Sequence, residues 1–323
     1  MEISEVSQKI HSQINKAEHI LLIAHQNPDA DCLGSLVVFS SWLESLNKNH
    51  TRFCLHQPPP NLTWLVNFEP LVNDPEYLIK QPYDLVIVLD SGDLKYAGVD
   101  NILPKLSPQP KVINIDHHAT NQNFGDINLV NTQSVSTTEI VYQLFKTLKI
   151  RIDAKVASAM LAGIIYDTYN FTNPNTNHQS LETASQLLLS GAQLGTVSDS
   201  ILKTKSIDTL KIWGEILTRL SHCHKFNVVS TVVTRQDLAD NLADSEVTEG
   251  VANFLNNLTG VKAALILQEQ ADGSIKGSFR TNNDLIDVSK LARILGGGGH
   301  KKAAGFKIKG QLKKTRSGSW QIV

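Results

Sequence analysis

Lys111–His118 reads KVINIDHH, a short apolar run followed at once by one acid and two histidines. Two earlier stretches repeat the arrangement, since Asp84–Asp93 reads DLVIVLDSGD and His19–Asp31 reads HILLIAHQNPDAD. Aliphatic runs this continuous are typical of strands buried on both faces, as in parallel sheets. The carboxyl ends of parallel strands share one edge, and ligands bind there. We therefore expect the three polar segments to meet at one edge of a mainly parallel sheet.

The remaining pattern predicts an α/β protein with two domains. Apolar spacing predicts helices over 34–46, 137–148, 154–166 and 180–189, a strand over 51–55, and a long connecting helix over 201–222. Beyond it, strands are expected over 227–234, 263–268 and 275–279, with a helix over 249–258. We assign 1–190 to a catalytic domain, 191–222 to a helical linker and 223–323 to a smaller α/β domain.

Composition excludes several classes of protein. The chain has 323 residues, 41% hydrophobic and 19% charged, and its net charge of −1 argues against coating long nucleic acid. No apolar run approaches the ~18–20 residues of a membrane span, and no secretory signal is recognisable. The 3 cysteines form no CxxC pair, which favours a reducing compartment over a thiolate zinc site. We expect a cytoplasmic protein without a membrane partner.

The polar segments have the donors of a metal site. Carboxylates and imidazoles without thiolates suit Mn²⁺ or Mg²⁺. Asp29 and Asp31, two positions apart in a predicted loop, could serve two adjacent ions, and Cys32 is expected to point away into the core. Gly34 and Ser35 are expected to open a helix that could hold an anion. Each feature has an ordinary alternative, because a lone aspartate is often a cap and adjacent histidines are often surface residues.

Taken together, these motifs resemble the DHH phosphoesterase superfamily, in its DHH/DHHA1 branch. Asp116-His117-His118 matches the signature, 25–35 the first motif, and Asp90 and Asp167 the second and fourth. Near the C-terminus, 278–281 (SFRT) and 296–305 (GGGGHKKAAG) match the second domain. The resemblance covers nearly the whole chain in the family's motif order.

This resemblance implies a two-metal hydrolase with Mn²⁺, for which Mg²⁺ or Co²⁺ could substitute. One ion would be held by His25, Asp29 and Asp90. The second would be held by Asp31, Asp90, His117 and Asp167. Asp90 would bridge the ions, Asp116 would orient a ligand histidine, and His118 would face the substrate phosphate. These last three form the expected catalytic set.

The second domain is expected to bind substrate, with the active site in the cleft between the domains. Consecutive glycines could bring amides close to an anion as a nest, and Arg280 could bind a phosphate bidentately. The expected contacts are Arg280, Gly297, Gly298, Gly299 and His300.

Length favours the stand-alone members of the branch, which resemble nano-RNases that cut very short RNA to mononucleotides. Many of them also dephosphorylate 3′-phosphoadenosine 5′-phosphate (pAp). Short RNA or small nucleotides are therefore the expected partners, with a homodimer through the DHH domain. Three alternatives stay open: a phosphodiesterase for cyclic di-AMP or pApA, a non-enzymatic nucleotide-binding protein, and a family II pyrophosphatase. The segments 168–171 (TYNF) and 95–96 (Lys-Tyr) depart from the family pattern near the expected substrate side.

Overall fold

The computed structural model describes residues 3–66, 71–202, 207–239, 250–252, 254–256, 258–315 and 320–323. The chain divides into two compact units, Met1–Thr204 and Lys205–Val323. Among the described residues, no helix combines the length and apolar character that a membrane crossing requires.

The first unit is built on a five-stranded parallel sheet. Its strands are β1 (His19–Ala24), β2 (Asn49–Phe53), β3 (Leu85–Leu89), β4 (Lys111–Asp116) and β5 (Ile127–Val130). They lie in the order β2-β1-β3-β4-β5, and every neighbouring pair is parallel. The predicted parallel sheet and α/β class are therefore confirmed.

Eight helices of this unit are described. They are α1 (Ile3–Lys16), α2 (Ala30–Ser45), α3 (Thr63–Val66), α4 (Pro75–Ile79), α5 (Thr137–Leu148), α6 (Ala154–Asp167), α7 (His178–Leu189) and α8 (Leu194–Leu202). Alternate residues of β1 enter different apolar clusters: Leu22 packs with α2 and α6, whereas Leu21 packs with α4 and the segment 97–106. Burial on both faces explains why the strand sequences are uninterrupted apolar runs.

Helix α2 begins four residues before its predicted start. Asp29 caps it by accepting hydrogen bonds from the amides of Asp31 and Cys32, so Asp31 lies in the first helical turn. Gly34 lies inside the helix, where a Cβ atom would approach the carbonyl oxygen of Ala159 to 2.5 Å. The expected anion site at Gly34 and Ser35 is therefore wrong, because this glycine permits close packing of α2 against α6.

The second unit contains a separate six-stranded sheet. Its strands are β6 (Ser221–Cys223), β7 (Val228–Val233), β8 (Ala263–Glu269), β9 (Ser274–Arg280), β10 (Gly298–Gly299) and β11 (Ala303–Lys309). The order is β10-β11-β9-β8-β7-β6, and β7 and β8 form its parallel pair. The described residues of this unit also include the helices α9 (Ile207–Thr218), α10 (Arg235–Ala239) and α11 (Val288–Ile294), helical residues at 250–252 and 254–255, and the hairpin of β12 (Leu312–Lys314) and β13 (Trp320–Ile322).

The long helix predicted over 201–222 is wrong at its C-terminal end, where the structure has a strand. Helix α8 ends at Leu202, α9 spans Ile207–Thr218, and β6 follows from Ser221. Strand pairing of β6 with β7 begins within the predicted helix, at Ser221, and helical spacing alone could not indicate this. The predicted helix over 249–258 falls partly outside the described residues.

Candidate metal centre

The three polar segments meet at the carboxyl edge of the parallel sheet. His25 follows β1 directly, Asp90 follows β3, and His117 follows β4. The Nε2 atom of His25 lies 3.6 Å from Oδ2 of Asp90, and Nε2 of His117 lies 3.6 Å from Oδ1 of Asp90. Asp90 thus stands between the two histidines and is 2% exposed.

Asp90 is held in place by its own backbone. Its φ of 59° lies in the left-handed region, and its amide donates to the carbonyl of Ile115 at 2.9 Å. A non-glycine residue in this region costs roughly 1 kcal/mol, and such strain occurs where surrounding structure enforces it. With this backbone, the Asp90 carboxylate lies within 3.6 Å of the histidines that follow β1 and β4.

Two further carboxylates come from helix termini. Asp29, the cap of α2, places Oδ2 3.4 Å from Nε2 of His25. Asp167, the last residue of α6, places Oδ2 3.3 Å from Nε2 of His117. Asp31 is fully buried and belongs to the same group of donors as His117 and Asp167. Every predicted metal ligand is therefore brought to this edge.

Asp116 contacts a different histidine from the expected one. Its Oδ1 accepts from Nδ1 of His118 at 2.7 Å and from the backbone amide of His117 at 2.8 Å. Its Oδ2 accepts from the side chain of Asn121 at 2.6 Å. The carboxylate therefore fixes the ring of His118, the residue expected to face substrate, whereas the ring of His117 turns toward Asp90 and Asp167.

The pKa values of the two adjacent histidines shift in opposite directions, for different reasons. Burial lowers the pKa of His117, more than the neighbouring Asp90 raises it, which favours the neutral imidazole that a metal ion needs. The hydrogen bond to Asp116 raises the pKa of His118 to about 9, so its ring is protonated at neutral pH. One histidine suits a cation and the other suits an anion.

The carboxylates of the centre differ from one another. Burial acts to raise the pKa of Asp90, but the hydrogen bond from His25 and the charge of His117 outweigh it and the net pKa is lowered. Burial raises the pKa of Asp31, and the charges of Asp90 and Asp29 raise it further. Burial also raises the pKa of Asp167, together with the charges of Asp31 and Asp29. A set of acids this close is costly to ionise unless a cation neutralises it.

The donor set fits divalent ions. Among the described residues, three groups each place their ligand atoms within 4.8 Å of one another: His25, Asp29, Cys32 and Asp90; Asp90, His117 and His118; and Asp31, His117 and Asp167. The Nδ1 atom of His25 and the Oδ2 atom of Asp167 are buried without a hydrogen-bond partner. Oxygen and imidazole donors with such unsatisfied atoms are what Mn²⁺ or Mg²⁺ would require.

Sequence reasoning placed Cys32 incorrectly. It is fully buried, as expected, but its Sγ atom accepts from the amide of Asp29 at 3.3 Å and belongs to the group around His25. The early start of α2 causes this difference, because the third residue of a helix turns its side chain back toward the cap.

Tyr96 also lies at the centre, although the sequence indicated only a departure from the family pattern. Its ring centroid is 4.8 Å from that of His25, at an interplanar angle of 31°. The side chain is 39% exposed. It therefore covers one face of His25 and presents its outer edge to solvent.

The sequence analysis missed Thr137 and Thr138, whose amides donate to the two carboxylate oxygens of Asp31. One signal pointed to them: Ser136 and Glu139 have the spacing of a helix N-terminal box, and Ser136 caps α5. Because 106 residues separate Thr137 from Asp31, no local pattern could have linked them.

In the second unit, part of the predicted nest is absent. The amide of Gly297 donates to the carbonyl of Ala292 at 2.8 Å, so it cannot serve an anion, and the nest interpretation is wrong at this residue. Gly298 and Gly299 form β10, paired with β11. Arg280, at the end of β9, pairs with Ala303 in β11.

His300 lies in the tight turn that joins β10 to β11. Its amide donates to the carbonyl of Ala303 at 2.7 Å, and the amide of Ala303 donates back at 3.2 Å. Since Ala303 also pairs with Arg280, the arginine and this turn occupy the same end of the second sheet. The structure thus brings Arg280 and the region of His300 together within this unit.

Comparison with known proteins agrees with this geometry. The DHH family N-terminal domain model matches residues 19–164, and the DHHA1 domain model matches residues 226–317. The "Bifunctional oligoribonuclease and PAP phosphatase NrnA" of Thermus thermophilus is 28% identical over 292 residues, which cover 90% of this chain and 84% of that protein. The protein of the same name from Bacillus subtilis is 28% identical over 303 residues, 91% of each chain.

A solved structure has the same fold. The crystal structure of an exopolyphosphatase-related protein from Bacteroides fragilis matches with a TM-score of 0.84 at 23% identity, over 95% of this chain and 92% of that one. The two family models together span most of the chain: the first includes all five strands of the parallel sheet, and the second includes β7 to β11 of the second sheet. The chain therefore belongs to the DHH/DHHA1 family of phosphoesterases and is a hydrolase.

Proposed function

We propose that this protein is a Mn²⁺-dependent phosphoesterase that hydrolyses short oligoribonucleotides to 5′-mononucleotides and removes the 3′-phosphate of pAp. The observation that carries the proposal is the position of Asp90, which belongs to two of the donor groups at the edge of the sheet. The names of the Thermus thermophilus and Bacillus subtilis relatives support the choice of substrates.

Six side chains would hold two ions, with Asp90 belonging to both sets. His25, Asp29 and Asp90 would hold the first, and Asp31, Asp90, His117 and Asp167 the second, so that Asp90 bridges them. When bound, such a pair supplies an activated water nucleophile and neutralises charge on the phosphoryl group. Mg²⁺ or Co²⁺ could replace Mn²⁺, because the donor set is carboxylate and imidazole.

The remaining catalytic side chains act on the phosphate. His118 is 42% exposed, and without metal the hydrogen bond to Asp116 raises its pKa to about 9. It can donate a charge-assisted hydrogen bond to a phosphoryl oxygen while Asp116 fixes its ring. Such a bond contributes to catalysis to the extent that it strengthens as charge develops in the transition state.

The second unit supplies the proposed substrate contacts. Arg280, Gly298, Gly299 and His300 are the candidates. We retain 1–190 as the catalytic domain, 191–222 as the linker and 223–323 as the substrate domain. A homodimer through the first domain and a cytoplasmic location belong to the same proposal.

A single assay panel tests the proposal. Purified protein with Mn²⁺ is given five-nucleotide RNA, pAp, pApA, cyclic di-AMP, pyrophosphate and long single-stranded DNA, each with an EDTA control. We expect EDTA-sensitive turnover that is fastest on the short RNA and pAp. Faster turnover of the long strand would refute the substrate assignment. Turnover led by cyclic di-AMP would make the protein a phosphodiesterase of that class, and binding without turnover would make it a nucleotide-binding protein.

Arg280→Ala tests the role of the second unit. Loss of a bidentate phosphate contact should raise KM for pAp by about tenfold while kcat changes less, because ~1.4 kcal/mol of binding corresponds to that factor. Arg235→Ala, an exposed arginine at the start of α10, is the matched control. Equal KM values for the two variants would remove Arg280 from the substrate site.

A further inference from the structure

The N-terminus of helix α5 contacts two of the carboxylates at the metal centre. The hydroxyl of Thr137 donates to Oδ1 of Asp90 at 2.8 Å. The amide of Thr137 donates to Oδ2 of Asp31 at 2.6 Å, and the amide of Thr138 donates to Oδ1 of Asp31 at 2.9 Å. All four residues are buried, with Asp90 the most exposed at 2%.

We infer that Thr137 is a positioning residue of the metal centre: its hydroxyl fixes the rotamer of Asp90 while its amide fixes Asp31. This inference rests on the proposed two-metal function. The role assigned to Thr137 acts through the two carboxylates that it contacts.

Geometry explains why one threonine can serve both acids. Thr137 is the first residue of α5, so its amide has no partner within the helix and points outward along the helix axis. The positive end of a helix dipole favours carboxylates there. Ser136 caps the helix by accepting from the amide of Glu139, which leaves the amides of Thr137 and Thr138 for Asp31.

The hydroxyl of Thr137 contacts the other carboxylate, that of Asp90. Asp90 must present oxygens in two directions if it bridges two ions, and a carboxylate free to rotate would do so only part of the time. A hydrogen bond at 2.8 Å to Oδ1 leaves the remaining lone pairs of both oxygens for ions. Removal of a residue that hydrogen-bonds to a metal ligand typically lowers metal affinity or activity by 10–100-fold.

Close packing leaves Asp31 no alternative position. A Cβ atom at Gly163 in α6 would lie 2.3 Å from Oδ1 of Asp31 and 2.3 Å from the hydroxyl oxygen of Thr138. Helices α5 and α6 therefore enclose this carboxylate from two sides. This packing and the two amide hydrogen bonds together fix the position of the Asp31 carboxylate.

The test compares two substitutions at one position. Thr137→Val keeps the shape and the backbone amide but removes the hydroxyl, and Thr137→Ser keeps the hydroxyl. Mn²⁺ binding to the full-length protein, without substrate, is measured from the electron paramagnetic resonance signal of free Mn²⁺. We expect Thr137→Val to weaken binding of at least one ion by about tenfold, and Thr137→Ser to stay within about twofold of wild type.

Thr231→Val is the matched control. The hydroxyl of Thr231 is likewise buried and donates at 2.6 Å to a backbone carbonyl, but it lies in β7 of the second unit. It should leave Mn²⁺ binding unchanged. Turnover of pAp as a function of Mn²⁺ adds a second readout, since Thr137→Val should need about tenfold more Mn²⁺ to reach half of its maximal rate.

The outcomes separate this inference from the proposed function. If wild type binds Mn²⁺ and Thr137→Val binds it equally well, the positioning role is refuted and the two-metal proposal stands. If wild type binds no Mn²⁺, the proposed function itself fails. If Thr137→Ser binds as weakly as Thr137→Val while both variants melt like wild type, the hydroxyl is not the operative group and the inference is also refuted.

Discussion

Asp90 is the side chain on which the metal centre depends most. It lies within 3.6 Å of both His25 and His117, and its left-handed backbone leaves few alternatives for its direction. We predict that Asp90→Asn lowers kcat on every substrate by more than about a hundredfold, because loss of a ligand proposed for both ions should exceed the 10–100-fold effect typical of residues that only orient a ligand. Steady-state assays at saturating Mn²⁺ measure the effect.

Asp84→Asn provides the control for this substitution. Asp84 precedes the same strand β3 at its opposite end, where it accepts hydrogen bonds from the amides of Glu18 and His19. The Asp84→Asn variant should keep most of the activity even if its melting temperature is lower than that of wild type. Substantial turnover by Asp90→Asn would contradict the assignment of two ions sharing one carboxylate.

The pair of Asp116 and His118 predicts a pH dependence of stability without metal. The folded pKa of His118 is about 9, above the ordinary value of 6.5, mainly because of the hydrogen bond to Asp116. A group whose pKa is raised in the folded state stabilises fully below its unfolded pKa, and that stabilisation is lost as the pH rises to the folded value. Metal-free wild type should therefore lose stability between pH 6.5 and about 9.

The Asp116→Asn variant should lose less stability between pH 6.5 and about 9, because the neutral side-chain amide no longer favours the protonated ring of His118. Urea midpoints of the two metal-free proteins at several pH values measure the difference. Identical slopes for the two proteins would show that this hydrogen bond does not set the protonation of His118.

Helices α9 and α10 are joined by an ion pair. Arg219, just beyond α9, contacts both carboxylate oxygens of Asp237 in α10, at 2.5 and 2.8 Å. Burial raises the pKa of Asp237, but the hydrogen bonds from Arg219 and Thr234 outweigh it and the net pKa is lowered. We predict that Asp237→Asn destabilises the second unit by about 1–3 kcal/mol at neutral pH. The difference should shrink in acid, since a lowered carboxyl pKa gives stability that is lost as the pH falls.

Asp272→Asn is the matched variant for this pair. Asp272 and Lys307 form an ion pair between exposed side chains of the same unit. Exposed pairs are screened by solvent, so its removal should cost less than removal of the Asp237 carboxylate. Denaturation followed by tryptophan fluorescence measures both. A larger loss from Asp272→Asn would contradict the importance of burial here.

The elements differ in how far the sequence predicts them. Strands β1, β3 and β4 were predicted because burial on both faces leaves an unbroken apolar run. The start of α2 was predicted four residues late, because Asp29 is at once a cap and a metal-site carboxylate. The long helix over 201–222 was wrong because strand pairing is a non-local interaction that helical spacing does not register.

The candidate site was predictable where its residues follow strands. His25, Asp90 and His117 were expected together from the topology of a parallel sheet alone. The contact between Asp31 and Thr137, and the loss of the Gly297 amide to Ala292, depend on packing that no short motif encodes. Sequence therefore predicted the metal donors better than the groups that hold them in place.

The two units should respond differently to metal. All six proposed ligands lie in Met1–Thr204. An ion that binds only the folded state stabilises it by ~2.7 kcal/mol at a hundredfold excess over its dissociation constant. We predict that Mn²⁺ raises the melting temperature of the first unit and leaves that of the second within error, as two calorimetric transitions would show.

EDTA should reverse this shift, and Asp90→Asn should reduce it. A Mn²⁺ shift confined to the transition of the second unit would place the ions elsewhere in the molecule. Fluorescence of Trp42 and Trp64, both in the first unit, and of Trp213 and Trp320, both in the second, assigns each transition when one pair at a time is replaced by phenylalanine.

Gly163 has a consequence for how this protein can change over evolutionary time. The residue has no side chain to touch an ion or a substrate, yet even a methyl group there would overlap Oδ1 of Asp31. Any larger residue must move either the carboxylate or helix α5, so mutations at this codon should be eliminated by selection as strictly as mutations of the ligands. A lineage that has replaced Gly163 has, on this reasoning, already given up the reaction.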